Sequence, residues 1–92
     1  MRRRHHFHID QAGHSVSATV ETGHPAVVEV LVDGHVMGYA TVRGDRPVSV
    51  HIELPTEPPT PATVRAAPGP GIPRCVLEVP GAEPQVMSPR LY

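Results

Sequence analysis

Apolar and polar residues alternate along most of the chain, in short runs separated by Gly, Pro and Asp. The clearest stretch is 25–54, PAVVEVLVDGHVMGYATVRGDRPVSVHIEL, where Asp33-Gly34 and Gly44-Asp45 join three alternating runs. An Asp-Gly or Gly-Asp pair in this setting is typical of a two-residue hairpin turn, because such turns need residues that tolerate positive φ. The pattern therefore predicts a three-stranded antiparallel meander.

The two turns set a register for this meander. Val32 would face His35 across the first turn, and Arg43 would face Arg46 across the second. Side chains alternate between the two faces of a strand, so one face collects the core residues. We expect this core face to contain Val28, Val30, Val32, Met37, Tyr39, Thr41, Val48, Val50, Ile52 and Leu54.

The opposite face of the predicted meander is more apolar than a solvated sheet face usually is. Its candidate interface residues are Val27, Glu29, Leu31, Val36, Gly38, Ala40, Val42 and His51. Either another segment of the chain or another protein would cover this face, although scattered surface Val and Ala need no special explanation. The missing side chain at Gly38 would allow a packed surface to approach closely.

The flanking segments predict further strands. Residues 4–10 and 14–21 read as a hairpin that turns through residues 10–13, with Ile9 opposite His14. Its inward row would be His5, Phe7, Val16, Ala18 and Val20. Seven prolines within 55–73 indicate a crossing between two sheets, with an edge strand near its middle. We expect a strand over 74–79, a short segment over 84–88, and a frayed tail over 89–92.

These segments predict about seven short strands in one domain over residues 1–92. The fold class is all-β, a small antiparallel β-sandwich with immunoglobulin-like or related topology, and a small open barrel is the alternative. Twelve Pro and eight Gly interrupt any helical period. The single cysteine, Cys75, cannot form an internal disulfide, and we expect it to be a buried small hydrophobe.

Composition argues against several classes of partner. The net charge is −1, with eight Arg and no Lys, so no positive field favours nucleic acid. Phe7, Tyr39 and Tyr92 are too few for base stacking. The sequence contains neither a signal peptide nor an apolar run of membrane-spanning length. Together with the codon bias implied by the absence of Lys, this leads us to expect a cytoplasmic bacterial protein.

Seven histidines are the main compositional excess. His6 and His8 form an H-x-H pattern on a predicted strand, so both imidazoles share a face with backbones ~7 Å apart. A third ligand would come from His14, His35 or His51. Zinc, copper or nickel binding is therefore the alternative function, while solvated histidines on an edge strand are the simpler interpretation.

A catalytic arrangement has the weakest support. Glu29 and His51 flank Gly38 in the predicted register and could orient a base, but Ser49 is the only hydroxyl placed near them. The leading hypothesis is a non-enzymatic accessory module without a cofactor. We expect it to bind a protein partner or a second copy of itself through the apolar sheet face, with no nucleic acid or membrane involved.

Overall fold

Alternating side chains produce nine strands in the computed structural model, which describes residues 3–44, 46–69 and 71–90. The strands are β1 (Arg3–Gln11), β2 (His14–Thr22), β3 (Ala26–Val32), β4 (His35–Val42), β5 (Val48–Leu54), β6 (Thr60–Ala67), β7 (Arg74–Glu78), β8 (Gln85–Val86) and β9 (Ser88–Arg90). One sheet has five strands in the order β4-β3-β2-β1-β9, and the other has four in the order β5-β6-β7-β8. All ladders between the described strands are antiparallel.

The inner faces of the two sheets share one apolar core. Valine and alanine dominate it, as suits two sheets packed face to face. The core residues are Phe7, Val16, Ala18, Val20, Val28, Val30, Val32, Val50, Ile52, Leu54, Ala62, Val64, Ala66, Cys75, Leu77 and Met87. The predicted all-β, antiparallel two-sheet architecture is confirmed. The strand order is two consecutive meanders, with β9 returning beside β1, and this differs from the Greek-key order of immunoglobulin domains.

The first hairpin turns through two residues rather than four. Ala12 and Gly13 both have positive φ, as a type I′ turn requires, and Gln11 pairs with His14. Ile9 therefore lies opposite Val16, a register that differs by two residues from the predicted one. An even shift leaves every side chain on its predicted face. Phe7, Val16, Ala18 and Val20 are buried as expected, and His5 is half-buried.

The second hairpin has its predicted turn but an unexpected bulge. Asp33 and Gly34 have positive φ, and Val32 pairs with His35. Two steps later the register shifts, because Val36 pairs with Leu31 and Gly38 pairs with Val30. Met37 is the extra residue of a β-bulge, and every following side chain of β4 changes face. The predicted core residues Met37, Tyr39 and Thr41 are consequently exposed, which corrects the sequence prediction.

The predicted third strand of the meander belongs to the other sheet. β5 pairs with β6 and not with β4. The segment from Arg43 to Pro47 therefore connects two sheets instead of closing a hairpin, and Asp45 lies outside the described residues. Val50, Ile52 and Leu54 are nevertheless buried and Val48 is half-buried, because the alternation in β5 is independent of its partner.

The proline-rich segment and the tail also differ from the sequence prediction. The crossing between sheets that was predicted over 55–73 does not occur, because β6 is a central strand between β5 and β7 of the four-stranded sheet. Pro61 is tolerated there because the ladder with β7 begins only at Thr63. Pro89 and Arg90, predicted to be frayed, belong to β9 and pair with β1. Residues 91 and 92 of the predicted tail lie outside the described residues.

Candidate functional site

The bulge in β4 divides the predicted interface residues between two sides of the sheet. Val27, Glu29 and Leu31 are half-buried on the outer face of the five-stranded sheet, and Val36 beside them is exposed. Val27, Glu29 and Leu31 line an open depression of about 310 Å³, and Val36 lies next to it. This part of the predicted surface is brought together as expected.

The remaining interface candidates are not on that surface. Ala40 packs against the core and Val42 is buried, because both follow the bulge. Gly38 also turns inward, where an added Cβ would overlap Val50 Cγ1 and lie 3.5 Å from Ile52 Cγ2. The close approach that the glycine permits is therefore with the chain's own second sheet.

His51 lies on the four-stranded sheet, where its Nδ1 is 3.1 Å from the hydroxyl of Thr63. Glu29 lies on the other sheet, so the two residues do not flank Gly38 together. Ser49, the hydroxyl that the predicted register placed near this pair, is on the same strand as His51. The geometry therefore does not assemble the Glu-His pair on which the enzyme hypothesis depended.

The bulge exposes Met37 and Tyr39, which the sequence prediction had placed in the core, beside Val36, which it had placed on the outer face. Val36 is 57% exposed, Met37 is 45% exposed and Tyr39 is 61% exposed. They belong to an edge strand, whose only described ladder is with β3. We call the unpaired backbone side of β4 together with these three side chains the β4 edge. A glycine inside a strand often marks a bulge, so Gly38 was the available signal for this surface.

The end of the β3–β4 hairpin is tied to the first hairpin by Asp33. One carboxylate oxygen accepts the Ser15 backbone N–H at 2.9 Å, and the other lies 2.8 Å from His14 Nδ1. The Asp33 backbone N–H also donates to the Ser15 carbonyl at 2.8 Å. The Ser15 hydrogen bond, followed by the contact with His14, lowers the pKa of Asp33. These contacts hold the turn before β4 against its neighbouring strand pair.

The two histidines proposed as metal ligands do share the outer face of β1, as predicted. His6 Nδ1 is 3.3 Å from the Thr19 hydroxyl, and His8 Nδ1 is 3.0 Å from an Arg90 guanidinium nitrogen. A guanidinium can only donate, so His8 Nδ1 is the acceptor and its Nε2 carries the proton. That Nε2–H points to the Ser15 hydroxyl at 2.9 Å, with an Asp10 oxygen at 3.3 Å. Both ring nitrogens of His8 therefore have protein partners.

The third ligand that a metal site needs is not nearby. His14 contacts Asp33, His35 follows the β3–β4 turn, and His51 is on the other sheet. Within the described residues, no group of three or more His, Cys, Asp or Glu is arranged to hold a metal ion. The metal-binding alternative thus stays a hypothesis for which the geometry supplies no supporting observation.

Cys75 is buried against the core, as predicted. Its side chain is inaccessible to water, and this burial raises the pKa of the thiol from 9.0 to about 12. A neutral buried thiol is a poor nucleophile and a poor metal ligand. Cys75 therefore contributes packing, and the chemistry of the surface does not depend on it.

Comparison of the chain with protein-family models, with curated proteins and with solved structures finds no match. Across the described residues, the structure contains no helix with the length and apolar character that a membrane span requires.

Proposed function

We propose that this protein is a non-enzymatic binding module that associates with a second copy of itself by strand addition at the β4 edge. The observation that carries this proposal is an eight-residue edge strand with exposed apolar side chains and no residue that would discourage pairing. Unpaired backbone N–H and C=O groups on such a strand form a template for another strand.

The other outer strands of the described sheets carry the protection that β4 lacks. β9 contains Pro89 and Arg90, and β8 has only two residues. β5 carries Glu53 and is preceded and followed by proline. Charged residues, proline and short length are common devices against edge-to-edge pairing. The sequence of β4, HVMGYATV, contains no Asp, Glu, Arg, Lys or Pro, and only its bulge interrupts pairing.

A second copy suits this edge better than a charged partner does. Two-fold pairing places identical surfaces against each other, so a charge on the edge would face its own copy. In an antiparallel pairing centred on Ala40, Tyr39 would lie opposite the partner's Thr41 on the outer face. The two five-stranded sheets would then form one continuous sheet with a ~4.8 Å spacing at the junction.

The contact would be small, because the bulge limits the regular pairing to the residues after Met37. It would bury less than a standard interface of ~1,600 Å². Each backbone hydrogen bond contributes only ~1 kcal/mol net. We therefore expect a reversible dimer with a dissociation constant weaker than ~1 µM.

The experiment is sedimentation velocity on wild type and Tyr39→Lys over a dilution series from roughly 10 µM to 1 mM, the range in which such a dimer dissociates. Wild type should shift from monomer towards dimer, and Tyr39→Lys should remain a monomer because two introduced charges would approach each other across the pairing. Val86→Lys is the matched control, since Val86 is an exposed apolar residue on the edge of the other sheet. It should associate like wild type.

Amide hydrogen exchange identifies the contact as strand addition. Raising the wild-type concentration should slow exchange at amides of β4 and leave β9 unchanged, since only a new ladder protects edge amides. A wild-type chain that stays monomeric throughout the series would contradict the proposal. A dimer that dissociates with EDTA would contradict it as well and would favour the histidines.

A further inference from the structure

An apolar crevice opens between the two sheets on the side of the sandwich away from β4. It lies where β1 and β9 of one sheet meet β7 and β8 of the other, and its volume is about 210 Å³. Phe7, Cys75 and Met87 line it and are buried members of the core. The crevice therefore ends at the surface of the core, because these three residues are at most 5% exposed.

Two apolar side chains stand at the mouth of this crevice in contact with water. Ile72 is 85% exposed and Val86 is 73% exposed, the highest values among the large exposed hydrophobic residues that the structure describes. A Val or Ile side chain left in water is less favourable than a buried one, because the hydrophobic effect drives apolar surface out of water. An apolar group seated in the crevice would cover both side chains and extend the core outward.

Basic residues accompany this apolar lining. Arg74, Arg90, His5 and His6 line the crevice, and none of its described lining residues is Asp or Glu. Arg90 has donors left after its contact with His8, because a guanidinium carries five N–H groups and that contact uses one nitrogen. A group with an apolar body and a negative charge would match both parts of this lining.

We propose that the crevice binds a small amphipathic carboxylate, with its apolar body over Phe7, Cys75 and Met87 and its charge towards Arg74 and Arg90. The volume equals that of roughly seven water molecules at ~30 Å³ each, which suits a chain of about six to eight carbon atoms or a single ring. A bare phosphate or sulfate would leave the apolar part unfilled. This site is separate from the β4 edge, so either proposal can fail without the other.

The test is a titration of the full ¹⁵N-labelled chain with octanoate, followed by amide chemical shifts. Shifts should saturate at Phe7, Cys75 and Met87, with little change along β4. 1-Octanol and octylamine have the same number of carbon atoms as octanoate without the negative charge. We expect each to bind about fivefold more weakly or worse, the effect of losing one partly exposed ionic contact.

Two sets of variants test the apolar part and the charged part of the site separately. Val86→Asp should abolish octanoate binding, because it places a carboxylate at the mouth, whereas Ala82→Asp adds the same charge at an exposed position outside the crevice and should bind like wild type. Arg74→Gln with Arg90→Gln should weaken octanoate about fivefold and leave octanol unchanged. Arg65→Gln removes an arginine from the outer face of β6 and should have no effect.

Three results would overturn the proposal. Equal affinity for octanoate and octanol would remove the role of the arginines, and shifts that spread over both sheet surfaces would indicate nonspecific adsorption. The third result comes from comparing octanoate binding by the full chain with binding by a variant chain that ends at Arg90. Binding to this shortened chain but not to the full one would show that the full protein has no vacant site for a carboxylate.

Discussion

The two edges of the five-stranded sheet are built in opposite ways. β4 is eight residues long, uncharged and without proline, and it leaves Val36, Met37 and Tyr39 exposed. β9 has three residues, two of which are Pro89 and Arg90. One edge therefore presents the residues after Met37 as a template for a further strand, and the other offers almost none.

The difference follows from how the chain returns to this sheet. After β8 the backbone crosses back and places β9 beside β1, while Met87 between them inserts into the core and its N–H donates to the Cys75 carbonyl at 3.0 Å. No described strand returns to β4 in this way, because the segment that follows it leads directly to β5 in the other sheet. A short strand can thus close a sheet edge when a buried neighbour anchors it.

The largest expected effect is on stability and tests whether Met87 anchors β9. Met87→Ala should destabilise the protein by about 3 kcal/mol, because Met87 is only 1% exposed and truncation leaves a cavity between the sheets. Urea denaturation followed by circular dichroism measures this change. Val86→Ala, one residue earlier but exposed, should stay within ~0.5 kcal/mol of wild type. Equal small effects for both variants would mean that the β8–β9 segment is loosely attached. This result would agree with the frayed tail that the sequence predicted.

A smaller effect tests the opposite edge. Gly38→Ala should destabilise the protein by about 2 kcal/mol, because the added methyl group would overlap Val50 Cγ1 and force the sheets apart locally. Val36→Ala on the same strand removes exposed atoms and should change stability by no more than ~0.5 kcal/mol. Tolerance of alanine at position 38 in the same urea assay would place this residue on the outer face, as the unbulged register predicts.

The two hairpins show how much of the fold the sequence could reveal. In the first, the predicted turn was too long, but the resulting error of two residues preserved every face, so Phe7 and Val16 were correctly assigned to the core. In the second, the turn at Asp33-Gly34 was right, yet one inserted residue at Met37 reversed the rest of β4. The alternation of apolar and polar residues therefore predicts which side chains are buried only as far as the first bulge. Beyond it, a register shift of one residue moves each side chain to the opposite face.

Local sequence patterns could not predict which strands belong to which sheet. β5 alternates in the same way whether it pairs with β4 or with β6, so Val50 and Ile52 were predicted to be buried for a pairing that does not exist. This ambiguity also affected the candidate interface, because His51 was included in it only through the predicted pairing of β5 with β4, which does not exist. The exposure of Met37 and Tyr39 could not be predicted without knowledge of the bulge, and the crevice could not be predicted without knowing that β9 returns beside β1.

The smallest expected effect concerns Cys75, on the side of the sandwich away from β4, at alkaline pH. Burial raises the pKa of Cys75 to about 12 from 9.0, so the folded state keeps a proton that the unfolded state releases above pH 9. The stabilisation is fully present below pH 9 and is lost progressively between pH 9 and about 12. At pH 10 the loss should be about 1 kcal/mol, since one pH unit corresponds to ~1.4 kcal/mol for one proton.

Urea denaturation at pH 8, 9 and 10 measures this slope, and Cys75→Ala supplies the control. The variant should be less stable at every pH because it loses buried volume, but the part of the alkaline slope that belongs to the thiol should disappear. Wild type and variant carry the same Arg and Tyr residues, so the difference between their slopes isolates the thiol. Identical slopes for wild type and variant would mean that the Cys75 thiolate reaches water without unfolding. The wall between β7 and β9 would then open readily, and the two edges of the five-stranded sheet would be more alike than their sequences indicate.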